Sequence, residues 1–182
     1  ALSKIKNIVD DQFFGTQVSI SMDQIRAMKV FVIGNVLTPG SYSLNTFGTV
    51  LNALISSGGI REKSSLRTIE VVRGQSTIAT IDLYDLLIDG KLNLVDLSLK
   101  DGDSIIVKGL INSVALIGEV NRPAIYEFID GDTLSDLLLF GLGTTPRSDL
   151  NNISVTRVLR SGKTTVLNPK NYSEFKLQIG DR

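Results

Sequence analysis

Hydrophobic and polar positions along this chain alternate in short blocks, and the blocks come twice. Lys29–Val36 (Lys-Val-Phe-Val-Ile-Gly-Asn-Val) is rich in β-branched residues and predicts a strand. Thr38-Pro39-Gly40 follows as a turn signal, with proline presetting φ and glycine expected at positive φ. Ser41–Leu44 then returns as a short strand, closing a hairpin. Thr49 is a good N-cap for a short helix whose apolar stripe is Val50, Leu51, Leu54 and Ile55. Gly58-Gly59 stops it. Arg67–Arg73 alternates as a strand, with Ile69 and Val71 on one face. Gly74-Gln75 turns into another strand at Ser76–Ile81, and Tyr84–Ile88 reads as a short apolar turn or helix. Asp101-Gly102 turns into a last strand, Asp103–Lys108.

The plan then repeats. Val30-Phe-Val-Ile-Gly-Asn-Val aligns with Val114-Ala-Leu-Ile-Gly-Glu-Val, an offset of 84. The same offset pairs Pro39 with Pro123, Tyr42 with Tyr126, Thr49 with Thr133, Leu54 with Leu138, Gly59 with Gly143 and Arg73 with Arg157. Residues 30–73 and 114–157 share 14 identities over 44 ungapped positions, where chance gives roughly 3. Further on the offset falls to 78, where Gly102-Asp103 matches Gly180-Asp181. In the second copy Asp132 or Thr133 is expected to cap a helix over Leu134–Phe140, with strands at Ile153–Leu159 and Lys163–Leu167. The fold class is therefore α+β: two homologous modules in tandem, each a small mixed sheet with one or two short helices. The first spans residues 28–110 and the second 111–182, joined near Lys108–Asn112 by a link too short to be a flexible tether. The second copy is expected to stop before its last strand, leaving an open edge that invites pairing. Residues 1–27 belong to neither copy and read as the tail of an upstream domain. Within them Gln17–Ser21 alternates like a strand, and Met22–Ala27 is expected to form a helical turn.

Composition narrows the chemistry. The 182 residues include no His, no Cys and no Trp. Zinc fingers, haem, iron–sulfur clusters, thiol catalysis and His-dependent triads are therefore excluded from this chain. Lys+Arg and Asp+Glu both number 19, and the balance holds in each segment. No basic surplus points to nucleic acid or to an anionic membrane surface. The longest apolar runs, such as Leu137–Leu142, are far short of the roughly 20 residues of a membrane span.

In order, Val30-Phe-Val-Ile-Gly-Asn-Val, Pro39-Gly40-x-Tyr42, Thr49-Val50-x-x-Ala53-Leu54, Gly58-Gly59, Val71-x-Arg73, Asp82-Leu83 and Gly102-Asp103-x-Ile105-x-Val107 resemble the soluble-ligand-binding β-grasp (SLBB) family. The likeness covers residues 30–107 well and 114–181 more loosely. In the second copy Ala124 replaces the turn glycine and Leu142 the first paired glycine, which puts identical turn geometry in question there. Tandem copies resemble the periplasmic part of bacterial outer-membrane polysaccharide export proteins. The resemblance implies a β-grasp fold and a periplasmic place, with outer-membrane association through parts outside this stretch. It also implies a homo-oligomeric conduit, a capsular or exopolysaccharide cargo, and an inner-membrane polymerisation or export partner. It implies neither catalysis nor a cofactor, and no nucleic acid. The alternative is a free-standing glycan or small-ligand binding module; an enzyme such as a carboxylate glycosidase would need two facing acids in a groove.

Candidate chemistry is sparse. Tyr42 and Tyr126 could stack on sugars, or pack beside the hairpin turn with the hydroxyl near water. Arg73 and Arg157 could meet an acidic polymer or a neighbouring subunit, or serve as solvated or intradomain partners. Asp101 and Asp103 flank Gly102, and Asp130 and Asp132 flank Gly131. Either pair could act as acid and base or hold a hard cation, but turn chemistry accounts for both and neither has calcium-loop spacing. Gly58-Gly59 and Gly141-Leu-Gly143 lack a phosphate-loop pattern and follow a helix, so they read as C-caps. No catalytic, metal, cofactor or ligand-binding residue is assigned.

Overall fold

The computed structural model describes residues 26–90, 98–159 and 161–182. Gln17–Ser21 and all but the end of Met22–Ala27 lie outside these residues; Ala27 opens a strand rather than closing a helical turn.

The first module contains β1 (Ala27–Gly34), β2 (Gly40–Asn45), α1 (Val50–Ser56), β3 (Ile69–Arg73), β4 (Ser76–Ile81), α2 (Leu83–Asp89) and β5 (Ser104–Val107). Its five strands form one sheet in the order β2-β1-β5-β3-β4. β5 runs parallel to β1 and antiparallel to β3, so the last strand in sequence is the middle strand in space. Alternation decides which face is inside. Met28, Val30 and Val32 of β1, Ile69 and Val71 of β3, and Ile105 and Val107 of β5 all point to the core. Val50, Ala53 and Leu54 of α1 cover them. The fold is the mixed-sheet α+β arrangement expected from the repeat.

The second module carries β6 (Ser113–Leu116), β7 (Ala124–Glu127), α3 (Leu134–Phe140), a 3₁₀ turn at Leu150–Asn152, β8 (Val155–Val158) and β9 (Thr164–Leu167). β6 pairs with β7 and β8 with β9, as separate two-stranded sheets. Val114, Tyr126, Phe128, Leu137, Phe140 and Val155 lead its own core.

Repeated residues do repeated jobs. Thr49 caps α1 through a reciprocal capping box with Asn52, and Thr133 caps α3 the same way with Asp136. Of the two caps expected for α3, Thr133 fills the role and Asp132 is free for another. Both helices end in Schellman-type bonds: Gly59 N–H to the Leu54 carbonyl at 2.9 Å, and Gly143 N–H to the Leu138 carbonyl at 2.8 Å. The turn geometry is the same in both copies despite the sequence difference. Gly58 sits at φ +84° and Leu142 at +59°, so Leu142 occupies the left-handed region with a side chain.

One turn expectation is corrected. Gly40 does not take positive φ; it is the first residue of β2, paired with Val32. The positive φ falls on Gly34 (+90°) and its counterpart Gly118 (+96°) instead. Ala124 therefore replaces Gly40 without backbone strain.

Candidate functional site: the joint between the modules

The repeated tyrosines and arginines each act within their own module. The Tyr42 hydroxyl donates to the Thr38 carbonyl, and that of Tyr126 to the Arg122 carbonyl at 2.6 Å. Both rings pack beside their hairpin, and their hydroxyls close the loop four residues upstream rather than facing water alone. Burial raises the Tyr126 phenol above its ordinary range.

Arg73 and Arg157 are intradomain partners. Arg73 donates Nε and Nη2 to the two carboxylate oxygens of Asp103, each at 2.8 Å. Arg157 grips Asp181 in the same two-pronged way, at 2.7 and 2.8 Å. Both aspartates are buried and also accept a backbone N–H: Lys100 at 2.7 Å and Gln178 at 2.9 Å. Burial works against the Asp103 charge, but Arg73 and the Lys100 amide outweigh it and hold the carboxyl below its usual range. Asp101 accepts the Lys29 N–H at 2.7 Å. Asp130 is exposed, whereas Asp132 turns inward. The flanking aspartates are thus turn and clamp residues, and neither pair is arranged as an acid–base couple.

The concentrated polar chemistry lies where the modules meet, among residues the repeat did not flag. Glu127, on β7, is buried beside the 64–68 loop of the first module. Its carboxylate accepts from Ser65 Oγ at 2.6 Å, from Leu66 N–H at 2.7 Å and from Arg67 N–H at 3.2 Å. Its own backbone N–H donates to the Tyr84 hydroxyl at 2.9 Å. Arg67 reaches both ways, with Nε to Asp82 of the first module at 2.9 Å and Nη1 to Asp132 of the second. Its guanidinium lies 5.0 Å from the ring centres of both Tyr84 on α2 and Phe140 on α3. Those rings meet edge to face at 5.1 Å. Burial opposes the charge of Arg67, but Asp82 and Asp132 more than compensate and raise its pKa. Tyr84 and Ile88 pack against the second module's core, so α2 belongs to both modules.

The connecting segment is fixed too. Ser65 N–H donates to the Lys108 carbonyl and Leu110 N–H to the Lys63 carbonyl, both at 2.9 Å. A hydrogen-bonded link, a three-donor carboxylate and a buried Asp–Arg–Asp bridge allow little freedom of rotation. The arrangement fixes the angle between the two modules.

Two signals in the sequence could have found it. Glu127 interrupts the buried run Tyr126–Phe128, and it stands where the first copy has the exposed Ser43. Arg67 likewise aligns with Asn151, and Asp132 with Gly48. Departure from the repeat, not agreement with it, marks the joint.

Comparison with known proteins accords with this two-module organisation. The SLBB domain family matches residues 28–107 and, in a second description of that domain, residues 113–172. Two curated Escherichia coli sequences named polysialic acid transport protein KpsD are 35% identical over 127 residues. The match covers 69% of this chain and 22% of each relative, so the chain spans about a fifth of the proteins it resembles. Among the described residues no helix is long and apolar enough to cross a membrane. With two copies of the domain in tandem, each matched to the family over most of its length, this chain belongs to the SLBB-domain family.

Proposed function

We propose that this chain supplies two rigidly joined modules of a bacterial polysaccharide export protein. The observation that carries this reading is the 35% identity, across both modules, to a polysialic acid transport protein. The joint supports it physically: two small domains locked at one angle make a stiff wall element. A free-standing binder gains nothing from a buried ion bridge between domains, and no observation favours that reading.

In this role the chain is non-enzymatic. Of the four candidate acids, Asp101, Asp103 and Asp132 are committed to backbone amides and guanidinium groups, and Asp130 is exposed beside them. The cargo is a capsular or exopolysaccharide, and the working form is a homo-oligomer in the periplasm. It is tied to the outer membrane through other parts of the protein and meets an inner-membrane polymerisation or export partner. Distributed, weak contacts suit such a wall, since a tight site would hold the polymer.

The test is a deletion strain of the source bacterium, with the full gene restored as control. Export predicts that surface polysaccharide disappears and accumulates inside the envelope. Unchanged surface polymer would sink the proposal.

A further inference from the structure

The first module carries a groove at the place where the second module is docked. It runs along β2, an edge strand of the five-stranded sheet, with α1 as its other wall. Its volume is about 440 Å³, and Ser43, Asn45, Phe47, Asn52, Ile55 and Ser56 line it. That size is within the range of small-ligand sites. The repeat offset of 84 maps Ser43 onto Glu127, Gly48 onto Asp132 and Ser56 onto Phe140. In the second module those three residues receive Leu66, Arg67 and Tyr84 of the joint. Serine and glycine present no charge to a guanidinium, so a joint of that kind does not form on the first module.

What stands there instead has a different chemistry. Phe47 and Ile55 are 83% and 73% exposed. The turn does not need the ring, since Gly131 holds the same position in the second copy. Two amides complete the wall. Asn45 Oδ1 accepts the Phe47 N–H at 3.0 Å. Asn52 Oδ1 accepts the Thr49 N–H at 3.0 Å and the Thr49 hydroxyl at 2.9 Å. These bonds fix which end of each amide is oxygen. The two NH2 ends and the Ser43 hydroxyl have no partner among the described residues. No residue lining the groove is ionisable.

An exposed ring beside unused neutral donors fits a ligand with one apolar face and many oxygen acceptors. A sugar ring has both, with C–H groups on its face and hydroxyl oxygens around its rim. A protein partner is disfavoured, because a stable interface takes about 20–30 residues a side and eight line this groove. We propose that the groove holds one or two sugar rings of a polysaccharide, stacked on Phe47 and held by the Nδ2 groups of Asn45 and Asn52. The inference rests on the export reading for the identity of that polysaccharide as cargo. A neutral groove reads ring faces and hydroxyls rather than acidic groups, so its grip does not depend on salt. One aromatic contact and a few exposed hydrogen bonds give roughly millimolar binding, which lets a polymer move on.

The probe is a set of oligosaccharides, a few sugars long, cut from the surface polysaccharide of the source bacterium. They are titrated into the 182-residue chain while its amide signals are followed. Shifts are expected at the Phe47 and Gly48 N–H groups and at the NH2 groups of Asn45 and Asn52. The Kd should be roughly 1–10 mM and the same at about 0.05 and 0.5 M salt. Phe47→Ala should weaken binding about fivefold. Asn52→Asp keeps the helix cap, as Asp136 does for α3, but removes the donor; it should weaken binding by at least about fivefold. An absence of shifts at these residues, binding that both variants leave unchanged, or binding that falls away at high salt would each overturn the proposal. Variants that change only self-association by light scattering would assign the groove to a second copy. A groove that binds no sugar, in a protein whose deletion still removes surface polymer, sinks this inference and leaves the export role standing. Unchanged surface polymer with binding intact sinks the export role alone.

Discussion

Replacing Glu127 with alanine should uncouple the modules without disturbing either core. The substitution removes no apolar core side chain; the carboxylate it removes faces Ser65 Oγ, Leu66 N–H and Arg67 N–H. Hydrogen bonds to a charged group contribute about 1.5–3 kcal/mol each. The Leu66 bond loses its acceptor outright. The Ser65 hydroxyl keeps contact with Thr68 Oγ1, and the Arg67 amide keeps a 3.3 Å contact to Ser65 Oγ. Counting one full bond and two partial ones, and allowing for water entering the vacated space, the loss is about 3 kcal/mol. That is a factor of roughly 150 in the equilibrium between docked and undocked modules. Whole domains are stable by only about 5–15 kcal/mol, so the effect is large. The assay is urea unfolding followed by amide signals from each module separately. The parent chain should show coincident transitions. Glu127→Ala should show the second module, which has the more open core, unfolding at lower urea while the first keeps its own midpoint. Glu127→Gln retains one acceptor oxygen and should fall between. Coincident transitions with an unchanged midpoint in Glu127→Ala would refute the assignment of the joint.

Three further outcomes follow from the same geometry. Leu142→Gly should stabilise the chain by about 1 kcal/mol, since a left-handed non-glycine residue costs roughly that much and this side chain is half exposed; thermal unfolding checks it. Gly34→Ala puts a methyl group 2.1 Å from the Val107 carbonyl oxygen and should cost far more than Gly74→Ala, which meets nothing, by the same measurement. Asp103 has a folded pKa below its unfolded value, so its stabilisation is fully present above about pH 4. It is lost as pH falls through the depressed folded value, and Asp103→Asn should be less stable than the parent at pH 7 with a flatter acid limb in urea midpoints.

Residues that occur twice were the ones the sequence exposed. Thr49 and Thr133, Tyr42 and Tyr126, and Arg73 and Arg157 could be paired by offset alone, and each pair has one structural job. Helix α3 is found over the range expected, because a cap, an apolar stripe and a stop coincide there. Pro39-Gly40 misled, since the dipeptide carries a turn signal whichever residue takes the positive φ, and here Gly34 takes it. The place of β5 between β1 and β3 was also invisible, because periodicity says which face of a strand is buried and not which strand lies beside it. Glu127 and Arg67 escaped for the opposite reason: each has no counterpart, and a single charged residue in a sequence ordinarily means a solvated surface.

Those residues without a counterpart bear on how the two modules are held together. Duplication alone yields two modules with the same surface, and nothing in that surface prefers one angle of docking. The second copy then departs from the first at Glu127 and Asp132, and the first from the second at Arg67, and these three residues meet. Apolar contact between Tyr84, Ile88 and Phe140 supplies adhesion, but it tolerates sliding. Buried charges do not, because a guanidinium moved off its two carboxylates is left desolvated and unpaired, at a cost of several kcal/mol. The ionic part of the joint therefore contributes direction more than strength. In the export role proposed above, a wall assembled from many copies would multiply any angular error in one copy around its circumference, so a fixed angle would matter more to it than a tighter bond.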